Sequence, residues 1–263
     1  MQSENRTQRI AVTGATGRVG APLVEILAQR GHDVVPIARS KGVDVVSGEG
    51  LVEALVGVET IIDAATGPSP DQEEATAFFT ASARNLQRAG AAAGAKRIVV
   101  VSIIGIDKFH GGYNAAKVAQ EQTLREGPLP VRIVRAAQFH EFVDPLVGWT
   151  IRDGVAYVPE MRTQLVAARV VAETLADAAE EPEIVNGRIT EVAGPHEERL
   201  AEAAAALFAS RGDSFEIRES RGGLLAQPGD PDAAAYADGA ALPNPGAKLV
   251  GPSFKEWLAA TKA

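Results

Sequence analysis

No cysteine occurs in the 263 residues, which excludes disulfides and thiolate chemistry. Histidine is nearly as scarce. His32, His110, His140 and His196 are scattered singletons without paired spacing, so no metal site is expected. Basic charge is short as well, with 26 Lys and Arg against 34 Asp and Glu. The resulting net charge of −8 argues against a nucleic-acid partner, which requires a basic face. No apolar run is long enough to span a bilayer, and the opening MQSENRTQR lacks the apolar core of a signal peptide. No membrane partner and a cytoplasmic location are therefore expected. The chain also has no Gly-x-Ser-x-Gly elbow, which disfavours a hydrolase.

What is present begins at Arg9. A short apolar strand, Arg9–Thr13, runs into Gly14-Ala15-Thr16-Gly17-Arg18-Val19-Gly20 and then into the helical pattern from Ala21 to Ala28. Three glycines at three-residue spacing between a strand and a helix suit a dinucleotide. Gly14 would allow the tight turn, Gly17 would let backbone N–H groups approach a pyrophosphate, and Gly20 would let the helix pack closely on the sheet. The helix N-terminus then offers unpaired N–H groups and the positive dipole end to the phosphates.

Strands and helices alternate through the first half. Strands are expected at Arg9–Thr13, Asp33–Ala38, Val43–Val46, Thr60–Ala65, Lys96–Ile104 and Val131–Ala136. Helices are expected over Pro22–Arg30, Gly50–Val56, Asp71–Gly94 and Tyr113–Arg125. The run KRIVVVSII is apolar almost throughout, as befits a strand buried on both faces. This alternation predicts an α/β fold with a doubly wound parallel Rossmann sheet, and ligands at the carboxyl ends of its strands. After Gln138 the pattern loosens. Leu165–Ala179, Arg199–Arg211 and Ser253–Ala260 read as helices, and Arg188–Ala193 and Phe215–Glu219 as strands. Gly222–Pro245 reads as loop around a short helix at Ala233–Ala237. The expected organisation is a flexible arm over residues 1–8, a dinucleotide-binding domain over 9–142, and a small α+β substrate lobe over 143–263 integrated with it.

A second chemical signal is Tyr113-Asn114-Ala115-Ala116-Lys117. Helical positions four apart share a face, so phenol and ammonium can point toward one site. A nearby ammonium favours the phenolate and is expected to lower the tyrosine pKa. Ser102 ends the buried VVVS run eleven residues before Tyr113, where a hydroxyl could hold a carbonyl oxygen. The alternative is that Tyr113 packs beside the cofactor while Lys117 only binds ribose.

TGATGRVG, IIDAAT, VVVSIIG, YNAAK and RIVRAAQF together resemble the short-chain dehydrogenase/reductase superfamily, in particular its atypical, NmrA-like NAD(P)-binding branch. The resemblance is strongest over residues 9–142. It implies a Rossmann domain with a small C-terminal substrate lobe, Gly14, Gly17 and Gly20 at the pyrophosphate, and Tyr113, Lys117 and Ser102 at the catalytic positions. Around these, the cofactor set is expected to include Thr13, Thr16, Arg18 and Val19 of the glycine loop, and Ala64, Ala65 and Thr66 of IIDAAT. The branch holds both reductases and proteins that bind the nucleotide as sensors without turnover.

The end of the second strand bears on cofactor choice. An NAD site places a carboxylate there for the ribose 2′-OH, whereas a 2′-phosphate calls for a cation. Here the sequence is Ala38-Arg39-Ser40-Lys41, with Asp33 and Asp44 too early and too late to serve. NADP(H) is therefore expected over NAD(H), held by Arg39 and Ser40 with help from Arg18. The other reading of Arg39 and Lys41 is a pair of solvated surface cations. Gln138, Phe139 and His140 follow the strand at Val131–Ala136 and are candidate contacts for a small-molecule substrate, although His140 also fits an ordinary loop histidine. Two functions remain: an NADPH-dependent oxidoreductase acting on a ketone, aldehyde, enone or quinone-like carbonyl, and a non-catalytic NADP(H)-binding redox sensor. Whether the chain forms a homodimer is left open.

Overall fold

A computed structural model describes residues 6–221 and 232–261. The first elements in chain order are β1 (Arg9–Thr13), α1 (Gly20–Gln29), β2 (Asp33–Ile37), α2 (Leu51–Ala54) and β3 (Thr60–Asp63). They are followed by α3 (Gln72–Ala93), β4 (Arg97–Ile103), α4 (Gly112–Arg125) and β5 (Val131–Ala136). Next come α5 (Val143–Gly148), β6 (Ile151–Arg152), β7 (Val155–Pro159), β8 (Arg162–Thr163), α6 (Ala168–Glu180) and β9 (Arg188–Ala193). The chain continues through β10 (Glu198–Arg199), α7 (Leu200–Arg211), β11 (Glu216–Ser220), α8 (Ala233–Ala237), β12 (Lys248–Leu249) and α9 (Phe254–Thr261). No described helix is long and apolar enough to cross a membrane.

The chain divides into two compact units, neither continuous in sequence. The first takes residues up to Ser102 together with Gly112–Arg135 and Val171–Thr190. Its strands run in the order β9-β5-β4-β3-β1-β2, and β1 pairs in parallel with both β2 and β3. The strand order therefore reverses at β1, which opens a crevice at the carboxyl ends of β1 and β3. Ile10, Val12, Ile61, Ile62, Ile98 and Val100 are fully buried, as expected of strands covered on both faces. The long helix α3 starts where its sequence says it should. The Asp71 side chain accepts from the backbone N–H groups of Glu73 and Glu74 at 2.9 and 3.1 Å, and Gly94 ends the helix in the left-handed region.

The second unit comprises Ile103–Gly111, Ala136–Val170 and the chain from Glu191 onward. Here β12 pairs in parallel with Val192 and Ala193, the residues of β9 that belong to this unit. A separate three-stranded sheet holds β7 between β6 and β11, and β8 pairs with β10. Its core is built from Val143, Leu146, Val147, Leu165, Leu207, Phe208 and Phe254 among others.

Two expectations require correction. Val43–Val46 is a turn, because the Asp44 side chain accepts from Val46 N at 2.8 Å and Gly48 N donates back to Asp44 O. The helix expected from Leu165 begins at Ala168, since Val166 is still extended and bridges to Phe139. The hairpin β6–β7 was not anticipated. It turns on Asp153-Gly154, with φ of 50° and 78°. Residues 1–5 of the expected arm and 222–231 of the expected loop lie outside the described residues.

Candidate nucleotide and active site

The glycine loop leaves β1 at Thr13. Gly14 has φ +63°, and a Cβ there would stand 2.5 Å from Ala64 O. A Cβ on Gly20 would stand 2.1 Å from Gly14 O, so these two glycines let backbone meet backbone. Gly17 differs. A Cβ on it would meet only Gly14 O, at 3.1 Å, and would otherwise point into open space. Thr16, Gly17 and Arg18 are exposed, while Ala15 and Val19 are buried beneath them. Helix α1 has no side-chain cap at Val19, which leaves its positive end available to an anion. This is the cradle that a pyrophosphate requires, and the residues present fit a dinucleotide.

Beyond β2, Arg39, Ser40 and Lys41 form one exposed 3-10 turn. Arg39 makes no ion pair among the described residues. Asp33 pairs with Arg9 at 3.1 Å at the opposite end of the strand, and Asp44 is engaged by its own turn. Among the described residues, the turn that follows β2, Ala38-Arg39-Ser40-Lys41-Gly42-Val43, carries no carboxylate.

A buried polar chain occupies the carboxyl ends of β1, β3 and β4. Asp63, 1% exposed, accepts from Thr13 Oγ1 at 2.5 Å, Ala65 N at 3.2 Å and Gln120 Nε2 at 2.9 Å. The Lys117 ammonium donates to Val101 O at 2.8 Å and to Gln120 Oε1, and stands 4.5 Å above the centre of the Phe79 ring. Burial brings Lys117 down to about 8, against the attraction of Asp63 and Glu121. Tyr113 lies one helical turn earlier, its ring edge-on to Phe79 at 5.5 Å and its hydroxyl 2.8 Å from Thr66 Oγ1. Burial raises the Tyr113 phenol above its ordinary range, the Thr66 hydrogen bond pulls it partly back, and the Asp63 charge pushes it up again. The expected lowering by Lys117 is thus not found, because the ammonium is turned toward Gln120 and Val101.

Tyr113, Lys117 and Thr66 are therefore gathered at this end of the first unit, with Ala64 and Ala65 against Gly14 beside them. Ser102 is also there by chain position, but its Oγ is buried and has no hydrogen-bond partner. Thr66, not Ser102, is the hydroxyl that meets the phenol. Asp63 and Gln120 are additions that the sequence reading did not single out. Their signal was available: Gln120 lies three residues after Lys117 and seven after Tyr113, on one helix face.

Gln138, Phe139 and His140 belong to the second unit. Gln138 and Phe139 are half-buried, and their backbone runs beside Val166. His140 is 1% exposed, with its ring 5.5 Å from that of Phe254 and 5.4 Å from that of Trp257. Its Nε2 donates to Pro252 O at 3.1 Å, while Nδ1 is buried without a partner. It borders a cavity of about 350 Å³ that is also lined by Asp144, Leu207, Arg211 and Trp257. The ring's contacts are those of a packed core histidine.

The family described as NAD(P)H-binding matches residues 14–182. An L-arabinose 1-dehydrogenase (NAD(P)(+)) from Haloferax volcanii is 34% identical over 125 residues, covering 44% of this chain and 48% of that protein. The match thus spans about half the length of this curated relative. Among solved structures, the NADPH-dependent quinone oxidoreductase QOR2 of Escherichia coli has a TM-score of 0.67 at 19% identity, covering 97% of this chain and all of that one. A short-chain dehydrogenase/reductase superfamily protein from Agrobacterium tumefaciens with bound NAD has a TM-score of 0.69 at 18% identity, with 97% of each chain covered. At these identities the solved structures establish a shared Rossmann-like fold.

Proposed function

The chain belongs to the NAD(P)H-binding family, and from that premise we propose that it is an NADPH-dependent reductase of carbonyl compounds. Its substrate class is a ketone, aldehyde, enone or quinone-like carbonyl. The observation that carries this reading is the Tyr113 hydroxyl, held by Thr66 two residues beyond the Ala64 carbonyl that closes on Gly14. A transferable proton thereby stands beside the glycine cradle.

Bound NADPH supplies the hydride. The exposed backbone of Thr16-Gly17-Arg18 and the open end of α1 would hold the pyrophosphate, and Arg39 with Ser40 would hold the 2′-phosphate. Tyr113 donates its phenolic proton to the carbonyl oxygen as that oxygen becomes an alcohol, and solvent restores the proton. The phenol is protonated throughout the neutral range, and the upward shift from burial makes it a weaker acid than an ordinary tyrosine. Thr66 holds the phenol and, through it, the position of the reacting oxygen. Lys117 would contribute positive charge to the nucleotide site.

One observation favours a second reading, a redox sensor that binds NADP(H) without turnover. The Ser102 hydroxyl has no accessible surface from which to hold a substrate oxygen. A panel of carbonyl compounds, followed by NADPH absorbance, separates the two. Oxidation of NADPH by at least one class supports the reductase. Tight NADPH binding with no oxidation by any of them supports the sensor.

A further inference from the structure

We infer that Gln120 is a positioning residue whose amide couples the buried carboxylate of Asp63 to the Lys117 ammonium and so holds that ammonium charged and in place. Its functional consequence rests on the reading of Lys117 as a nucleotide contact, whereas the coupling itself does not.

The amide has one workable orientation. A lysine ammonium has only donors and an ionised carboxylate only acceptors, so Oε1 must face Lys117 and Nε2 must face Asp63. Gln120 is 1% exposed, and both its polar atoms are used between two charges that do not touch each other directly. An aligned dipole between a cation and an anion strengthens both hydrogen bonds in a low-dielectric site. No other residue type serves as well. Leucine would leave Asp63 a donor short and Lys117 an acceptor short. Asparagine is shorter by one methylene, and glutamate would set a second carboxylate against Asp63.

The bridge also connects elements. Asp63 ends β3 and accepts from Thr13, the last residue of β1, immediately before Gly14. It accepts as well from Ala65 N, next to the Ala64 carbonyl that closes on Gly14. Gln120 extends this knot to α4, and Lys117 extends it to Val101 of β4. The glycine loop and the Tyr113–Lys117 face are thereby joined through one side-chain amide. The charged groups facing Lys117 are Asp63 from β3 and Glu121 from its own helix. Glu121 is itself clasped by Arg135 of β5 at 2.9 and 2.8 Å and stands 3.5 Å from Arg125. Phe79 of α3 covers the ammonium, and Tyr113 lies one turn away on α4.

The test is a double-mutant cycle read on the ionisation of Lys117, followed by NMR of isotope-labelled lysine in the full chain, with Lys117→Arg to assign the signal. Gln120→Leu is expected to lower the Lys117 pKa by about one to two pH units, the size of a lost hydrogen bond to a charged group. Asp63→Asn, which keeps shape and removes charge, is expected to lower it as well. In the double variant the two effects should fall short of additive, since both cut the same bridge. Should Gln120→Leu fail to fold by circular dichroism, Gln120→Met and Asp63→Asn form the cycle. An unchanged Lys117 titration, or strict additivity, overturns the inference. NADPH titrations across pH form the second arm. If Lys117 contacts the nucleotide, affinity in Gln120→Leu falls at neutral pH and recovers in acid. A shifted Lys117 with unchanged NADPH affinity keeps the bridge and discards the nucleotide contact.

Discussion

Lys117 in the first unit and His140 in the second are almost equally buried, at 4% and 1% exposure, and burial lowers the proton affinity of both. Their surroundings differ. The lysine has two hydrogen-bond acceptors, an aromatic face and the attraction of two carboxylates, all at the carboxyl end of a parallel sheet. The histidine has one backbone carbonyl, one nitrogen without a partner, and the rings of Phe254 and Trp257. Burial alone therefore does not mark a functional group. What distinguishes Lys117 is a set of polar partners that leads to the strand ends, where an α/β fold binds its ligands.

The largest effect is expected at Gly17. Gly17→Val keeps an ordinary backbone and meets little of the protein, so the fold measured by circular dichroism should persist. Its side chain would occupy the pyrophosphate approach, and nucleotide binding should fall below detection in a titration. Gly20→Val, which meets Gly14 O at 2.1 Å, should instead damage the fold. Retained affinity in a folded Gly17→Val protein would move the nucleotide away from the first unit and dissolve the contrast.

Next in size is Tyr113→Phe. The ring can still lie against Phe79, but the transferable proton and the Thr66 partnership are gone. Turnover should drop by about 10²–10⁴-fold with nucleotide affinity nearly unchanged. A silent substitution would leave Tyr113 as packing, on the same footing as His140.

Arg39→Ala should follow, weakening NADPH by roughly ten- to a hundred-fold and NADH much less, the loss of one charge-assisted contact. Equal affinity of the unsubstituted protein for the two nucleotides would show Arg39 to be a solvated cation.

Much of the first unit was legible because its signals are local. Strand Arg9–Thr13, strand Val131–Ala136 and the Asp71-capped helix each follow from apolar period and punctuation within a few residues. The second unit was less legible. Strands of two residues, such as β8, β10 and β12, carry no period to detect. The β6–β7 hairpin does carry a signal, Asp153-Gly154 between Ile151-Arg152 and the apolar run from Val155, which is a short-range turn marker. The site divides in the same way. Glycine spacing and the Tyr113–Lys117 register are properties of one segment. The contacts between Thr66 and Tyr113, and between Asp63 and Gln120, join residues 47 and 57 positions apart, and only the folded sheet brings them together. The direction of the Tyr113 shift was missed for the same reason, since burial is a tertiary property.

Stability against pH is where the two buried groups should act over different ranges, with the smallest effect at His140. Both have folded pKa values below their unfolded ones, so each contributes stability that is present above the unfolded pKa and lost as pH falls through the folded one. For Lys117 the window runs from 10.5 down to about 8, and the protonated state costs the fold about 3 kcal/mol at neutral pH. Relative to Lys117→Met, the unsubstituted protein should therefore gain stability as pH rises from 8 to 10, measured by urea denaturation. For His140 the window opens only below 6.5. His140→Phe replaces one hydrogen bond and one unpaired nitrogen with more apolar ring, so at neutral pH it should shift stability by no more than about 1 kcal/mol. Below pH 6.5 it should lose less stability than the unsubstituted protein, because no buried imidazole has to accept a proton. Its NADPH affinity and turnover should be unchanged throughout. Equal acid sensitivity in the two proteins would show that His140 is not the group resisting protonation. A fall in turnover at constant stability would place the imidazole in the chemistry and erase its difference from Lys117.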